Sequence, residues 1–213
     1  MSNEALIADL SSDLVPVRRR SMVREGALLF ALCGLELALA PATGLMRADM
    51  HHMGGSPYLM WRVGSLGLLA IAACVLAVRS FSPTARPRHG LMLACGLAVL
   101  AIVGGAAVTP AGMADRGLLD RINPASGMMC ATSIFVLSLP IMALLGALMR
   151  RAAPTQPRRS ALVAGIAAGT CGALIFAFCC PFNDPLYVVV WYSVGCAAVA
   201  AVARWCLPQR FRL

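Results

Sequence analysis

The sequence predicts an all-α polytopic membrane protein with six transmembrane helices and with both termini in the cytoplasm. The 213 residues are 60% hydrophobic and 13% charged, whereas about 25% of the residues in soluble domains are charged. Six apolar stretches each reach about 20 residues, the length at which a helix crosses the ~30 Å hydrocarbon core of a bilayer. These stretches cover residues 26–46, 58–78, 90–110, 128–149, 160–179 and 186–206.

Arginines are concentrated on one side of the predicted spans, in every second loop, and this pattern predicts the orientation of the chain in the membrane. All 18 basic residues are arginines, and fourteen of them precede the first span, follow the second or the fourth, or close the chain. The other four lie toward the opposite side: Arg47, Arg62, Arg116 and Arg121. By the positive-inside rule, the arginine-rich side is cytoplasmic. The net charge of +9 therefore indicates topology and contact with lipid phosphates rather than nucleic-acid binding, because no soluble basic face is present.

This topology divides the chain into three parts. Residues 1–25 form a cytoplasmic amino-terminal segment, residues 26–206 form the six-helix bundle, and residues 207–213 form a short basic cytoplasmic tail. The loops between spans are too short to fold as domains. The amino-terminal segment is therefore the candidate for a separate function outside the membrane.

The amino-terminal segment has the pattern of a short amphipathic helix. Its large aliphatic side chains recur at helical spacing: Leu6, Ile7, Leu10 and Leu14. Asp9 and Asp13 lie on the remaining face, and Pro16 ends the pattern. A helix this short is marginal alone in water, so its apolar stripe needs a partner protein or the bilayer. Acidic residues without a base favour a protein partner, because interfacial membrane helices are usually basic; membrane contact remains the alternative.

Glu36 is an intramembrane acid near the middle of the first span. A carboxylate at this depth costs several kcal/mol unless it is partnered, so such a residue is a candidate for function. Arg62 in the second span is one possible partner, although the two backbones differ in depth by roughly 9 Å. The alternative is that Glu36 is protonated. Structural packing and a proton or ion relay both remain open roles for it.

Most of the nine cysteines are interpreted as small apolar residues that pack between helices. Cys130 and Cys180 differ because one begins the fourth span and the other ends the fifth, so both are expected at the outer membrane face, beside Cys179. Exposed thiols there would meet an oxidising compartment, where they can form disulfides, oxidise or capture soft metals. Inert buried thiols are the alternative.

The chain has no glycine-rich phosphate loop, no C-x-x-C motif and no convincing catalytic set. The adjacent His51 and His52 lack the spaced partners of a metal site. We therefore predict neither an enzyme nor a bound cofactor or metal.

Three stretches resemble the NrsF family of six-span bacterial membrane proteins: residues 6–18 (LIADLSSDLVPVR), residues 127–140 (GMMCATSIFVLSLP) and residues 180–192 (CPFNDPLYVVVWY). The resemblance implies an anti-sigma factor that holds an extracytoplasmic-function sigma factor at the bacterial inner membrane. It also implies release of that sigma factor under oxidant or heavy-metal stress. The two characteristic cysteines of the family look like Cys130 and Cys180, and the amino-terminal segment is implied in sigma binding.

In this interpretation the partners are a sigma factor and the lipid bilayer, with no direct contact to nucleic acid and with an unknown oligomeric state. Asp184 is expected to shape the loop beside Cys180, and Tyr187, Trp191 and Tyr192 to anchor that end at the outer interface. Two other classes remain as alternatives. One is a membrane thiol oxidoreductase, and the other is a small proton-coupled exporter that uses Glu36.

Overall fold

The computed structural model describes residues 4, 11, 21–42, 44, 56–82, 96, 98–99, 103–105, 121–152 and 154–209. Within these residues the secondary structure is helical, without strands. The predicted amphipathic helix, with Leu6, Ile7, Asp9, Leu10, Asp13 and Leu14, lies outside them. Most of the predicted span at 90–110 does as well. That the chain has six spans therefore stays a prediction. The all-helical fold class is confirmed for the residues that the structure describes.

Five long helices are described, and we number them in chain order: α1 (Met22–Ala42), α2 (Pro57–Ser80), α3 (Pro124–Ala152), α4 (Pro157–Ala177) and α5 (Pro185–Gln209). Among the described residues, four helices, α2 to α5, are long and apolar enough to cross a membrane. Helix α1 carries Arg24, Glu25 and Glu36 and begins four residues before the predicted first span.

Each of the helices α2 to α5 begins with a proline. Proline suits the first helical position, because its fixed φ matches the helix and its missing N–H would have no partner there. At α2, the Ser56 hydroxyl also accepts a hydrogen bond from the Leu59 N–H at 3.2 Å, which satisfies one of the unpaired donors of the first turn. These starts lie within four residues of the spans predicted from hydropathy.

Helix α4 lies at the centre and packs against α5, α3 and α2. Small residues allow its backbone to approach its neighbours closely. A Cβ added at Gly165 would meet the Cβ of Ala203 at 2.6 Å and the Cα of Ala200 at 2.7 Å. A Cβ added at Gly172 would meet the Ser138 hydroxyl of α3 at 2.3 Å. Helix α1 packs much less extensively, on α2, α3 and α4.

The helices define two ends of the bundle. We call the first the cysteine end, because Cys130 near the start of α3 and Cys180 between α4 and α5 both lie there. We call the opposite one the arginine end, where the Ser160 hydroxyl of α4 donates to the carbonyl of Ser80 at the end of α2, at 3.0 Å. Ser80 thus lies at the arginine end.

The described arginines are distributed unequally between the two ends. The arginine end has seven of them: Arg24, Arg79, Arg150, Arg151, Arg158, Arg159 and Arg204. The cysteine end has Arg62 and Arg121. Helix α1 begins at the arginine end, because Met22 lines the same cavity as Val78 and Arg79.

Candidate functional site

The cysteine end contains a compact cluster around Cys130 and Cys180. The two thiols hydrogen-bond to each other, and neither is in a disulfide. The hydroxyl of Tyr187 lies 3.3 Å from the Cys130 sulfur, and its ring lies 4.5 Å from that of Phe182. The structure thus brings together the two cysteines that were predicted from their depth alone.

Both thiols are buried, whereas the sequence leaves exposed thiols and buried thiols both open. Cys130 is 4% exposed and Cys180 is fully covered. Trp191 and Tyr192, predicted as anchors in the membrane interface, instead pack over this cluster with Tyr187. The prediction of outward-facing aromatic anchors is therefore wrong, because these rings fill the space between α3, α4 and α5.

Arg62 of α2 supplies a buried positive charge beside Cys180. Its guanidinium donates to the Phe182 carbonyl at 3.1 Å and to the Tyr192 hydroxyl, and lies 5.2 Å from the centre of the Tyr192 ring. The side chain is 1% exposed, and none of the hydrogen bonds described for it ends on a carboxylate. The hydrogen bond from Cys130, followed by the charge of Arg62, lowers the pKa of the Cys180 thiol below its ordinary value, against the opposing effect of burial.

Arg62 is one possible partner of Glu36 from the sequence, but in the structure the two side chains do not pair. Arg62 faces Phe182 and Tyr192 instead. Both carboxyl oxygens of Glu36 are buried and accept no hydrogen bond within the part of the chain that the structure describes. The sequence does not predict that Arg62 lies beside Cys180, although an arginine one turn inside a span is itself a signal of a functional position.

Asp184 holds the loop between α4 and α5. Its two carboxylate oxygens accept hydrogen bonds from Nε and Nη2 of Arg121, both at 2.8 Å, a bidentate pairing that fixes orientation as well as distance. Oδ1 also accepts from the Leu186 N–H at 3.0 Å and so caps α5. Arg121 is the main reason why the pKa of Asp184 lies below its usual range. Asp184 therefore shapes the loop beside Cys180, as expected from the sequence.

Cys179 lies next to Cys180, is partly exposed, and points back toward the end of α4, with its sulfur 3.8 Å from the Ile175 carbonyl. Burial raises the pKa of the Cys179 thiol. The two adjacent cysteines therefore differ, because the thiolate form is favoured at Cys180 and disfavoured at Cys179.

A glycine on α3 makes room for the aromatic cover of the site. A Cβ added at Gly127 would lie 1.8 Å from the ring of Trp191. The Trp191 indole lies against Gly127, and its N–H donates to the Ile122 carbonyl at 2.7 Å. Gly127 stands one turn before Cys130, so this contact also fixes where the start of α3 presents its thiol.

Two adjacent thiols can lose two electrons and two protons to form a disulfide, or can bind a soft metal ion as thiolates. Across the described ranges, no group of three His, Cys, Asp or Glu side chains is arranged to hold a metal ion. The arrangement thus offers two sulfur atoms, one of them favoured as a thiolate, under a cover of aromatic rings.

Fold and site together define a helical membrane protein with a buried thiol pair at one end. The chain belongs to the NrsF family: the family model, described as negative regulator of sigma F, matches residues 10–213. This class is regulatory rather than enzymatic, which leaves the alternative of a thiol oxidoreductase without support. The resemblance stated from the three sequence stretches is thereby confirmed.

Two relatives are similar over nearly their whole length. The probable anti-sigma-F factor NrsF of Azospira oryzae is 29% identical over 211 residues, which cover 95% of each protein. The anti-sigma-F factor NrsF of Caulobacter vibrioides is 25% identical over 203 residues, covering 95% of this chain and 93% of the relative. No solved structure matches the chain.

Proposed function

We propose that this protein is an inner-membrane anti-sigma factor that holds an extracytoplasmic-function sigma factor through its amino-terminal segment. In this proposal, oxidants or heavy metals act on Cys130 and Cys180 and cause release of the sigma factor. The observation that carries the proposal is the contact between these two thiols, beside the buried charge of Arg62. Family membership supports the anti-sigma role.

The distribution of charge supports an orientation with the arginine end in the cytoplasm. Seven of the described arginines lie at the arginine end and two at the cysteine end, so the positive-inside rule places the arginine end in the cytoplasm. Helix α1 begins at that end, which supports our proposal that residues 1–25 lie on the side where a sigma factor is found. The thiol pair then faces the opposite, oxidising compartment.

The switch requires little energy. In this proposal the bundle has two packings, one before and one after modification of the cysteines. A tenfold change in affinity corresponds to about 1.4 kcal/mol, so the free energies of sigma binding by the two packings need to differ by only that amount. A disulfide between Cys130 and Cys180, or a metal ion bridging them, would draw the start of α3 toward the loop that precedes α5. The Tyr187 contact to Cys130 would have to rearrange.

Sigma binding is tested with the full-length protein in nanodiscs and a purified sigma factor encoded in the same genome. Leu10→Asp places a charge in the apolar stripe, and Ser12→Asp places the same charge on the other face of the predicted helix. We expect Leu10→Asp to lower the affinity at least tenfold and Ser12→Asp to leave it nearly unchanged. Equal effects of the two variants, or no sigma binding by the wild type, would contradict the docking proposal.

Sensing is tested by comparing wild type with Cys130→Ser and Cys180→Ser in cells that carry a sigma-dependent reporter. Oxidant or cadmium should induce the reporter in wild type, and neither serine variant should respond. Cys206→Ser is the control, because Cys206 is exposed near the end of α5, away from the cluster. Induction that survives both substitutions would refute the sensor role.

A further inference from the structure

A second group of cysteines lies within the bundle, away from the cysteine end. Cys33 of α1, Cys74 of α2 and Cys171 of α4 converge, and none of them is in a disulfide. The Cys74 and Cys171 sulfurs are 3.5 Å apart, and Cys33 also hydrogen-bonds to Cys171. We call this group the inner thiol cluster. It takes no part in the contacts around Cys130 and Cys180.

The inner thiol cluster borders a cavity of about 490 Å³. Its other walls are almost entirely apolar and come from α1, α2 and α4, with Leu29, Phe30, Ile71 and Val75 among them. This volume is in the range of small-molecule sites, roughly 300–1,000 Å³. An apolar wall disfavours ions and hydrated molecules, because their desolvation is not compensated there. The cavity is therefore suited to a neutral, lipid-soluble molecule.

The cavity opens toward the side of the bundle. Phe30 is 81% exposed and Ile71 is 64% exposed, and both line the cavity. Helix α2 is long and apolar enough to cross a membrane, so the exposed Ile71 side chain faces the hydrocarbon of the bilayer. A molecule dissolved in the bilayer can thus reach the cavity without passing through water.

The chemistry that fits this cluster keeps it uncharged. A soft metal ion would require ionised thiolates in an apolar surrounding, which costs several kcal/mol for each ion. No metal-holding group of three ligand side chains occurs in the part of the chain that the structure describes. Oxidation of two thiols to a disulfide produces no charge, and the 3.5 Å separation of Cys74 and Cys171 requires only a small further approach.

We propose that Cys74 and Cys171 form a membrane-embedded site that a lipid-soluble organic hydroperoxide oxidises to a disulfide linking α2 to α4. One sulfur attacks the terminal peroxide oxygen, the O–O bond breaks, and the thiol proton leaves with the alkoxide as an alcohol. The resulting sulfenic acid is attacked by the second thiol, and its hydroxyl leaves as water with the second proton. Two thiols and one hydroperoxide thus give one disulfide, one alcohol and one water, with two electrons passing from sulfur to the O–O bond.

Cys33 extends the proposal to α1. Because it hydrogen-bonds to Cys171, it can attack the same disulfide at the Cys171 sulfur and displace Cys74, a thiol exchange with no net redox change. The link would then join α1 to α4. Helix α1 begins within the last residues of the amino-terminal segment. Among the five described helices it packs least extensively, so this exchange would restrain the helix that is held least firmly by its neighbours.

The experiment uses the reduced full-length protein in nanodiscs. One sample receives cumene hydroperoxide, which dissolves in the bilayer, and the other receives tetrathionate, a charged oxidant that does not. After alkylation of the remaining thiols in denaturant and proteolysis, mass spectrometry measures each linked peptide. We expect the Cys74 to Cys171 link to form at least tenfold faster with cumene hydroperoxide than with tetrathionate.

Variants make the result specific. Cys74→Ala should abolish that link and allow a Cys33 to Cys171 link, whereas Cys206→Ser should leave the original link unchanged. Circular dichroism checks that each variant keeps its helical content. The proposal is overturned if wild type forms neither a Cys74 to Cys171 link nor the exchanged Cys33 to Cys171 link with the hydroperoxide, or if both oxidants form them equally fast. Because this readout involves no sigma factor, it is independent of the function proposed above.

Discussion

Replacing Gly127 with alanine tests the packing that positions Cys130 beside Cys180. The added Cβ would lie 1.8 Å from the Trp191 ring, and ordinary contacts begin near 3.4 Å. The ring or the start of α3 must therefore move by about 1.6 Å. Either movement disturbs the 2.7 Å hydrogen bond from the Trp191 indole to the Ile122 carbonyl.

The expected cost adds two contributions. Overpacking a close contact costs about 1–3 kcal/mol, and a lost hydrogen bond costs about 1 kcal/mol. We expect Gly127→Ala to lower the free energy of unfolding by about 2–4 kcal/mol. It should also slow oxidative linking of Cys130 to Cys180, because α3 no longer presents its thiol in the same place.

The assay is reversible unfolding in mixed micelles, followed by circular dichroism, together with mass spectrometry of the linked peptides. Gly64→Ala is the matched control, because a Cβ at that glycine meets nothing within 4 Å. Alanine there should be neutral, or stabilising by up to about 1 kcal/mol, through helix propensity. If Gly127→Ala unfolds and cross-links like Gly64→Ala, the close contact with Trp191 does not position the thiol and the reasoning is refuted.

Three further predictions concern charge and packing. The pKa of Asp184 is lowered in the folded state, so the ionised carboxylate stabilises the fold at any pH above its ordinary pKa. This contribution to stability is lost as the pH falls through the lowered pKa. The unfolding temperatures of wild type and Asp184→Asn should therefore differ at pH 7 and converge in strong acid. Arg62→Gln should shift the pH profile of Cys180 oxidation to higher pH, because each unit of rise in the pKa of Cys180 lowers the thiolate fraction about tenfold. Arg62→Lys keeps the positive charge and should restore much of the oxidation rate. An unchanged pH profile in Arg62→Gln would show that Arg62 does not stabilise the Cys180 thiolate. Gly165→Ala should lower the free energy of unfolding in micelles by about 1–3 kcal/mol, because the added Cβ would meet the Cα of Ala200 at 2.7 Å. If the variant is as stable as wild type, α4 and α5 can move apart at this point without a cost in stability.

Hydropathy predicts where the described spans lie. The apolar stretch at 58–78 corresponds to α2 (Pro57–Ser80), and that at 160–179 to α4 (Pro157–Ala177). Depth along the helix was enough to predict that Cys130 and Cys180 share one end, because helix rise converts sequence position directly into height.

Rotation about the helix axis could not be predicted in the same way. Arg62 is only one possible partner of Glu36 in the sequence, because depth alone does not say which neighbour a side chain faces. The inner thiol cluster was missed for the same reason, since Cys33, Cys74 and Cys171 read as ordinary packing residues in an apolar helix. Their convergence depends on the close approach of α4 to its neighbours, which several glycines permit only when all the helices are in place.

The close packing of α4 has a mechanical consequence. This helix runs the full height of the bundle, from the Arg158 end to the residue before the Phe178 turn, and is roughly 32 Å long. Its backbone lies close to α5 at Gly165 and at Gly169, and close to α3 at Gly172. A helix held so closely at several heights cannot shift alone, because close-packed interiors transmit strain to their neighbours. A covalent change at one membrane surface would therefore displace α3, α4 and α5 together.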